Sequence, residues 1–218
     1  LFSLSFSAII HVPGDNDITI QAGIDAATEN DTVLVAQGTY YENLRIEKNI
    51  TLASHAIYDE LGDLDSWTSF AGEYYVTNEN IQSTIINGSQ DTQGEQFQSV
   101  IFINAPDDQC IEPIIIGFTI TGGDGTNGFF GYDFDNEPIY KSLGGGVLSN
   151  NALPELHYNY IKDNNSNIDK GGAINSGTGI DFGEELGTSS NNLRCEGEIN
   201  LSHNFYRDND ALYGNTLS

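Results

Sequence analysis

Short apolar runs separated by brief polar turns set the rhythm of this chain. From 17 to 54 it reads DITIQAGIDAATENDTVLVAQGTYYENLRIEKNITLAS. Ile20, Ile24 and Ala27 fall on one helical face, with Asp17 or Thr19 as candidate N-cap. Val33, Leu34 and Val35 form a β-branched apolar run that suits a short strand and is too short for a helix. Gly38 ends that run. Extended structure restarts at Leu44-Arg45-Ile46 and again at Ile50-Thr51-Leu52. A short helix followed by strands predicts a stacked coil whose open edge the helix covers.

The same rhythm continues downstream. TIIN (84–87) and SVIFIN (99–104) read as strands, and PIIIGFTITGG (113–123) is the most apolar stretch. The run Ile114-Ile115-Ile116 predicts a strand buried on both faces, as parallel sheets require. HYNYIKDN (157–164) and SHNFYRDN (202–209) are siblings, each an aromatic-aliphatic strand followed by a basic-Asp-Asn turn. In stacked coils such equivalents lie about 4.8 Å apart. Asn164 and Asn209 are therefore expected to form an internal amide ladder at one corner. His157 and His203 are read as sharing a coil position, as turn or surface residues and not as metal ligands.

Three stretches break the rhythm and read as inserted loops. The first, 55–83, carries Trp67, Tyr74 and Tyr75 among acids. The second, 124–143, carries Phe130, Tyr132 and Lys141, with Asp133, Asp135 and Glu137 at i, i+2 and i+4. The third, 178–195, is again acidic. Exposed aromatics beside carboxylates suit sugar rings and their hydroxyls, so Trp67, Tyr74, Tyr75, Phe130 and Tyr132 are the candidate carbohydrate-binding residues. Rings of this kind more commonly pin a long loop to the coil. The spacing of Asp133, Asp135 and Glu137 offers oxygen ligands to Ca²⁺, without an EF-hand or a glycine-rich nonapeptide pattern.

The opening motifs TIQAGIDAAT, DTVLVAQGTYYENLRI and KNITLAS, with GFTITGG, GGGVLSNN and GGAINSG later, resemble right-handed parallel β-helix proteins of the pectin lyase-like superfamily. The likeness is to the secreted bacterial β-helix repeat type. It covers most of the chain and implies an all-β parallel β-helix with a short N-terminal capping helix. It says little of activity, because that superfamily holds lyases, hydrolases, esterases, adhesins and inert surface proteins. Gln90-Asp91-Thr92 resembles a pectin methylesterase motif, but the family's accompanying carboxylate and Arg motifs do not follow, so an esterase of that type is rejected.

Composition narrows the picture. Lys+Arg number 7 against 32 Asp+Glu, for a net charge of −25. No basic stripe exists to displace phosphate counterions, so nucleic acid is excluded as a partner. An anionic polysaccharide would need bridging divalent cations. LFSLSFSA (1–8) reads as the remnant of a signal peptide, which predicts export to the outside or the cell surface, and no segment has the length of a membrane span. One domain from 9 to 218 is expected. Met is absent throughout and ALYGNTLS stops within what reads as another coil, so a C-terminal continuation is expected. Cys110 and Cys195 leave a disulfide and two free thiols both open.

Two functions from different classes fit these residues. The favoured one is a secreted β-helix that binds carbohydrate or serves a structural or adhesive role. The alternative is a Ca²⁺-dependent polysaccharide lyase or glycoside hydrolase in a groove formed by the insertions, with Lys141 as base beside Asp133, Asp135 and Glu137. Insertions that leave from different corners would weaken the second.

Overall fold

The computed structural model describes residues 7–13, 19–62, 67–70, 73–90, 98–106, 109–177 and 195–213. The fold is all-β with few helices, and its main sheets are parallel. A first sheet runs Ile9–Val12, Thr32–Val35, Thr51–Ser54, Ile114–Ile116, Glu155–His157, Asn200–Ser202. A second runs Gly38–Tyr41, Thr84–Asn87, Thr119–Thr121, Tyr160–Lys162, Phe205–Arg207. A third runs Leu44–Ile46, Ile101–Asn104, Val147–Asn150, Ile174–Gly177. The chain visits first, second and third sheet in turn and then returns to the first beside the strand it left.

Alternation along each strand sends every second side chain inward. Val33, Leu52, Ile115 and Leu156 are in register in the first sheet, and Leu44, Ile101, Val147 and Ile174 in the third. All are buried in one core. In the second sheet the inward row is Tyr40, Ile86, Ile120, Ile161, Tyr206. Three isoleucines thus lie between two tyrosines. Ile114 and Ile116 are only half-buried and Ile115 alone is fully buried, so this strand has one core face where the sequence suggests two. The run Val33–Val35 ends before Gly38 as read, and Gly38 then opens a further strand, Gly38–Tyr41, where the sequence predicts extended structure again only at Leu44.

Corners are built by residues in the left-handed region. Gly117, Tyr158 and His203 follow equivalent strands of the first sheet with φ of 85°, 54° and 55°. Gly122, Asp163 and Asp208 do the same after the second sheet, at 76°, 52° and 50°. The next residue at each corner of the later coils is Asn. Asn164 donates to Ile120 O and Asn209 Oδ1 and accepts from Gly123 N–H, which is the expected ladder. Asn159 and Asn204 form a second ladder that the sequence reading did not single out. Buried amides with all these partners satisfy turn backbone groups that water cannot reach.

The helix Ile20–Ala26 packs against Ile9–Val12, Thr32–Val35 and Leu44–Ile46, and Ile20 and Ile24 enter the core. Thr19 is its N-cap, accepting from Ala22 N–H. Asp17, the other candidate, lies outside the described residues. Glu42 and Lys48 then hold its two ends. The Glu42 carboxylate accepts from Ile20 N–H and Gln21 N–H, each at 2.9 Å. Lys48 Nζ donates to Ile24 O and Ala27 O at 3.0 and 2.8 Å. No helix among the described residues is long and apolar enough to cross a membrane.

Candidate functional site

The second insertion is an antiparallel hairpin, Thr126–Tyr132 with Pro138–Leu143, leaving between the second and third sheets. Its tip is shaped by Asp133, whose Oδ1 accepts from Asp135 N–H and Glu137 N–H at 2.8 and 2.9 Å. Asn136 takes a left-handed φ of 64° to complete the turn. Phe129 lies edge-on to Tyr132 and Tyr140, with centroids 5.2 and 5.9 Å apart. Tyr132 is 62% and Tyr140 60% exposed, so the hairpin offers water an aromatic face beside an acidic tip.

The first insertion holds a second hairpin, Trp67–Phe70 with Glu73–Val76, between the first and second sheets. Tyr75 is exposed at its edge, opposite Thr68. The side chains of Trp67, Tyr74 and Phe130, and residues 178–194 of the third insertion, lie outside the described residues. The third insertion follows Ile174–Gly177 of the third sheet and precedes Asn200–Ser202 of the first. The three insertions therefore leave from three different junctions.

Asp133, Asp135 and Glu137 all sit exposed on the hairpin tip, and part of the Asp133 carboxylate is already engaged by backbone amides. Lys141 is half-buried, opposite Gly128 and four residues from Glu137, a separation of about 13 Å along a strand. Among the described residues no group of three His, Cys, Asp or Glu is arranged to hold a metal ion. Other cations have local duties. Arg45 pairs with Glu47, Lys162 with Asp163 and Arg207 with Asp208, while Lys48 caps the helix.

The outer face of the first sheet carries a constellation that the sequence reading missed. Glu155 pairs in register with Asn200, and His157 with Ser202. His203 is therefore opposite Tyr158 and not His157, and the two rings stack at 4.7 Å, nearly parallel. This corrects the shared position read for His157 and His203. His157 Nδ1 lies 2.6 Å from Ser202 Oγ, and its Nε2 lies 2.9 Å from Glu155 Oε2. Asn200 Nδ2 reaches the same Glu155 oxygen at 3.4 Å. Only the 45-residue register of the sibling segments, taken strictly, would have brought these groups together.

Cys110 and Cys195 form a disulfide across a separation of 85 residues, with Cα atoms 5.4 Å apart. A depression of about 190 Å³ lies against Asn30, Asn49, Thr51 and Glu112, smaller than the usual ligand pocket. Scanned against protein-family models the chain matches none, no curated protein matches it, and no solved structure matches it.

Proposed function

We infer that this chain is a right-handed parallel β-helix of the pectin lyase-like type, exported, and acting as a scaffold that contacts uncharged carbohydrate through its inserted hairpins. The observation that carries this reading is the pair of exposed rings Tyr132 and Tyr140 packed edge-on against half-buried Phe129, on the hairpin 126–143. Flat aromatic faces with adjacent carboxylates match the apolar faces and hydroxyls of sugar rings. A net charge of −25 favours a neutral glycan over an anionic one. The disulfide supports export, because such bonds persist in oxidising compartments. The helix Ile20–Ala26, packed on the first strands, fits the role of an N-terminal cap.

Elimination from a uronate or glycoside cleavage fits less well. Lys141 is half-buried four residues from Glu137, and the three insertions leave from three different junctions between the sheets. The test is titration of the protein with neutral glucans, mannans and xylans, and with polygalacturonate and alginate, by calorimetry with Ca²⁺ and with chelator. Binding of a neutral glycan, weakened about tenfold or more in Tyr132→Ala or Tyr140→Ala, is expected. Unsaturated product from a uronate polymer, dependent on Ca²⁺ and lost in Lys141→Ala, would replace the scaffold with a lyase.

A further inference from the structure

We propose that Ser202, His157 and Glu155 form a nucleophilic site on the outer face of the first sheet, hydrolysing short O-acyl esters. This does not depend on the carbohydrate reading. It rests on one continuous hydrogen-bonded line, Ser202 Oγ to His157 Nδ1 at 2.6 Å and His157 Nε2 to Glu155 Oε2 at 2.9 Å. A carboxylate accepts only, so the Nε2 atom facing Glu155 carries the proton. The Nδ1 lone pair then faces the Ser202 hydroxyl, which is the tautomer a general base needs. The ring nitrogens exchange the duties they have in the familiar serine triad, where the carboxylate takes Nδ1, but geometry and role define such a site.

The backbone holds these groups in place. Leu156 and Leu201, between the outward residues, face the core. Asn200 N–H donates to Pro154 O and Tyr158 N–H to Ser202 O, both at 3.2 Å, fixing the two strands on either side of the group. Side chains carried on paired strands are positioned more tightly than those on loops. Asn200, two residues before Ser202 on the same face, has its amide 3.4 Å from Glu155 Oε2 and so helps orient the carboxylate that faces His157. Ser202 remains partly open to solvent, and the His157 side chain is 18% exposed.

Chemistry then follows in balanced steps. Ser202 Oγ bonds to the ester carbonyl carbon while its proton passes to His157 Nδ1, and the carbonyl oxygen becomes the oxyanion of a tetrahedral intermediate. Collapse breaks the bond to the alcohol oxygen, which leaves with the His157 proton. Water, deprotonated by His157, attacks the acyl-Ser202, releasing a carboxylic acid and restoring the serine. The open surface and the acidic chain select a short acyl group on an uncharged alcohol or polymer, such as an O-acetyl ester.

The test uses the full chain, p-nitrophenyl acetate, and a fluorophosphonate probe read by peptide mass spectrometry. Saturable hydrolysis and labelling of Ser202 are expected. Ser202→Ala and His157→Gln should each lower kcat/KM about a hundredfold or more, with circular dichroism unchanged. Glu155→Gln, at a positioning residue, should lower kcat and leave KM in place. Lys162→Ala, on the second sheet, should change nothing. Hydrolysis that persists in Ser202→Ala, or an unlabelled Ser202 in a folded protein, would reduce the group to a surface staple and overturn the proposal.

Discussion

Asn164 Nδ2 donates to Asn209 Oδ1 across 3.0 Å, forty-five residues later in the chain and one coil further along the stack. The same Asn164 binds Ile120 O and accepts from Gly123 N–H, so one side chain ties three consecutive coils. It is 1% exposed, and its removal leaves buried backbone groups unpaired. Asn164→Ala is therefore expected to cost about 2–4 kcal/mol. Asn164→Asp should be as harmful, since it loses both donors and buries a charge. Urea midpoints at constant m value provide the measurement.

Much of this arrangement was legible in the sequence. The sibling segments around Tyr160 and Phe205 disclosed a repeat, and their shared Asn placed the ladder at a corner. A parallel sheet was expected from Ile114–Ile116 as a strand buried on both faces; the strand does pair in parallel on both sides, although only Ile115 is fully buried. Other features depended on register or distant packing. His157 and His203 look equivalent by residue type, but sheet pairing sets His157 against Ser202. That one-residue difference moves a side chain from strand to corner, and with it conceals the Ser202–His157–Glu155 line. The part Lys48 plays emerges only once the helix whose carbonyls it caps is in place. The aromatic hairpin was visible as an insertion, yet which rings meet at Phe129 depended on a bulge between Phe129 and Gly131.

Gly123 packs against the backbone of Gly145, at the other end of the inserted hairpin in the same coil, and against Val100 of the coil before. A Cβ added there would lie 1.9 Å from Gly145 O and 2.8 Å from Val100 Cγ2. The first neighbour is backbone and cannot rotate away. Gly123→Ala should cost about 3 kcal/mol or more and lower the yield of folded protein. Gly131→Ala is the informative contrast, because its Cβ would meet nothing within 4 Å and only its φ of 121° is unfavourable. A loss of about 1–2 kcal/mol is expected there. Thermal and urea unfolding of both variants would separate close approach from dihedral strain.

The helix Ile20–Ala26 has 7 residues, too few to persist alone, so its ends must be held by the sheets. Glu42 meets the N-terminal amides and Lys48 the C-terminal carbonyls, each with the sign the helix dipole favours. Glu42→Ala and Lys48→Met should each destabilise by about 1–2 kcal/mol. Both changes free the same short element, so the double variant should lose less than their sum. A double-mutant cycle in urea is decisive, and strict additivity would show that the two ends act independently.

Acid and alkali should act on different coils. Hydrogen bonds from Ala8 N–H, Thr28 N–H and the Thr28 hydroxyl hold Asp31 below its ordinary 3.8, and the Asn80 and Asn78 amides do the same for Asp59. A carboxylate with a depressed folded value stabilises the fold above 3.8 and loses that contribution as pH falls through the folded value. Asp31→Asn should therefore flatten the acid limb of the stability profile. At the other extreme, burial pushes the Tyr206 phenol up to about 12 from 10.0. Its raised value gives stability that is complete below 10 and vanishes as pH rises towards 12, on the order of 2 kcal/mol. Tyr206 closes the inward row that begins at Tyr40, so ionisation would drive a charge against Ile161. Burial and the nearby Glu42 also raise the Tyr40 phenol, so Tyr206→Phe should reduce the alkaline decline without abolishing it and leave the acid limb intact. Urea midpoints from pH 2 to 12, with phenolate absorbance followed in parallel, would check both limbs, and an unchanged alkaline decline in Tyr206→Phe would assign it to another group.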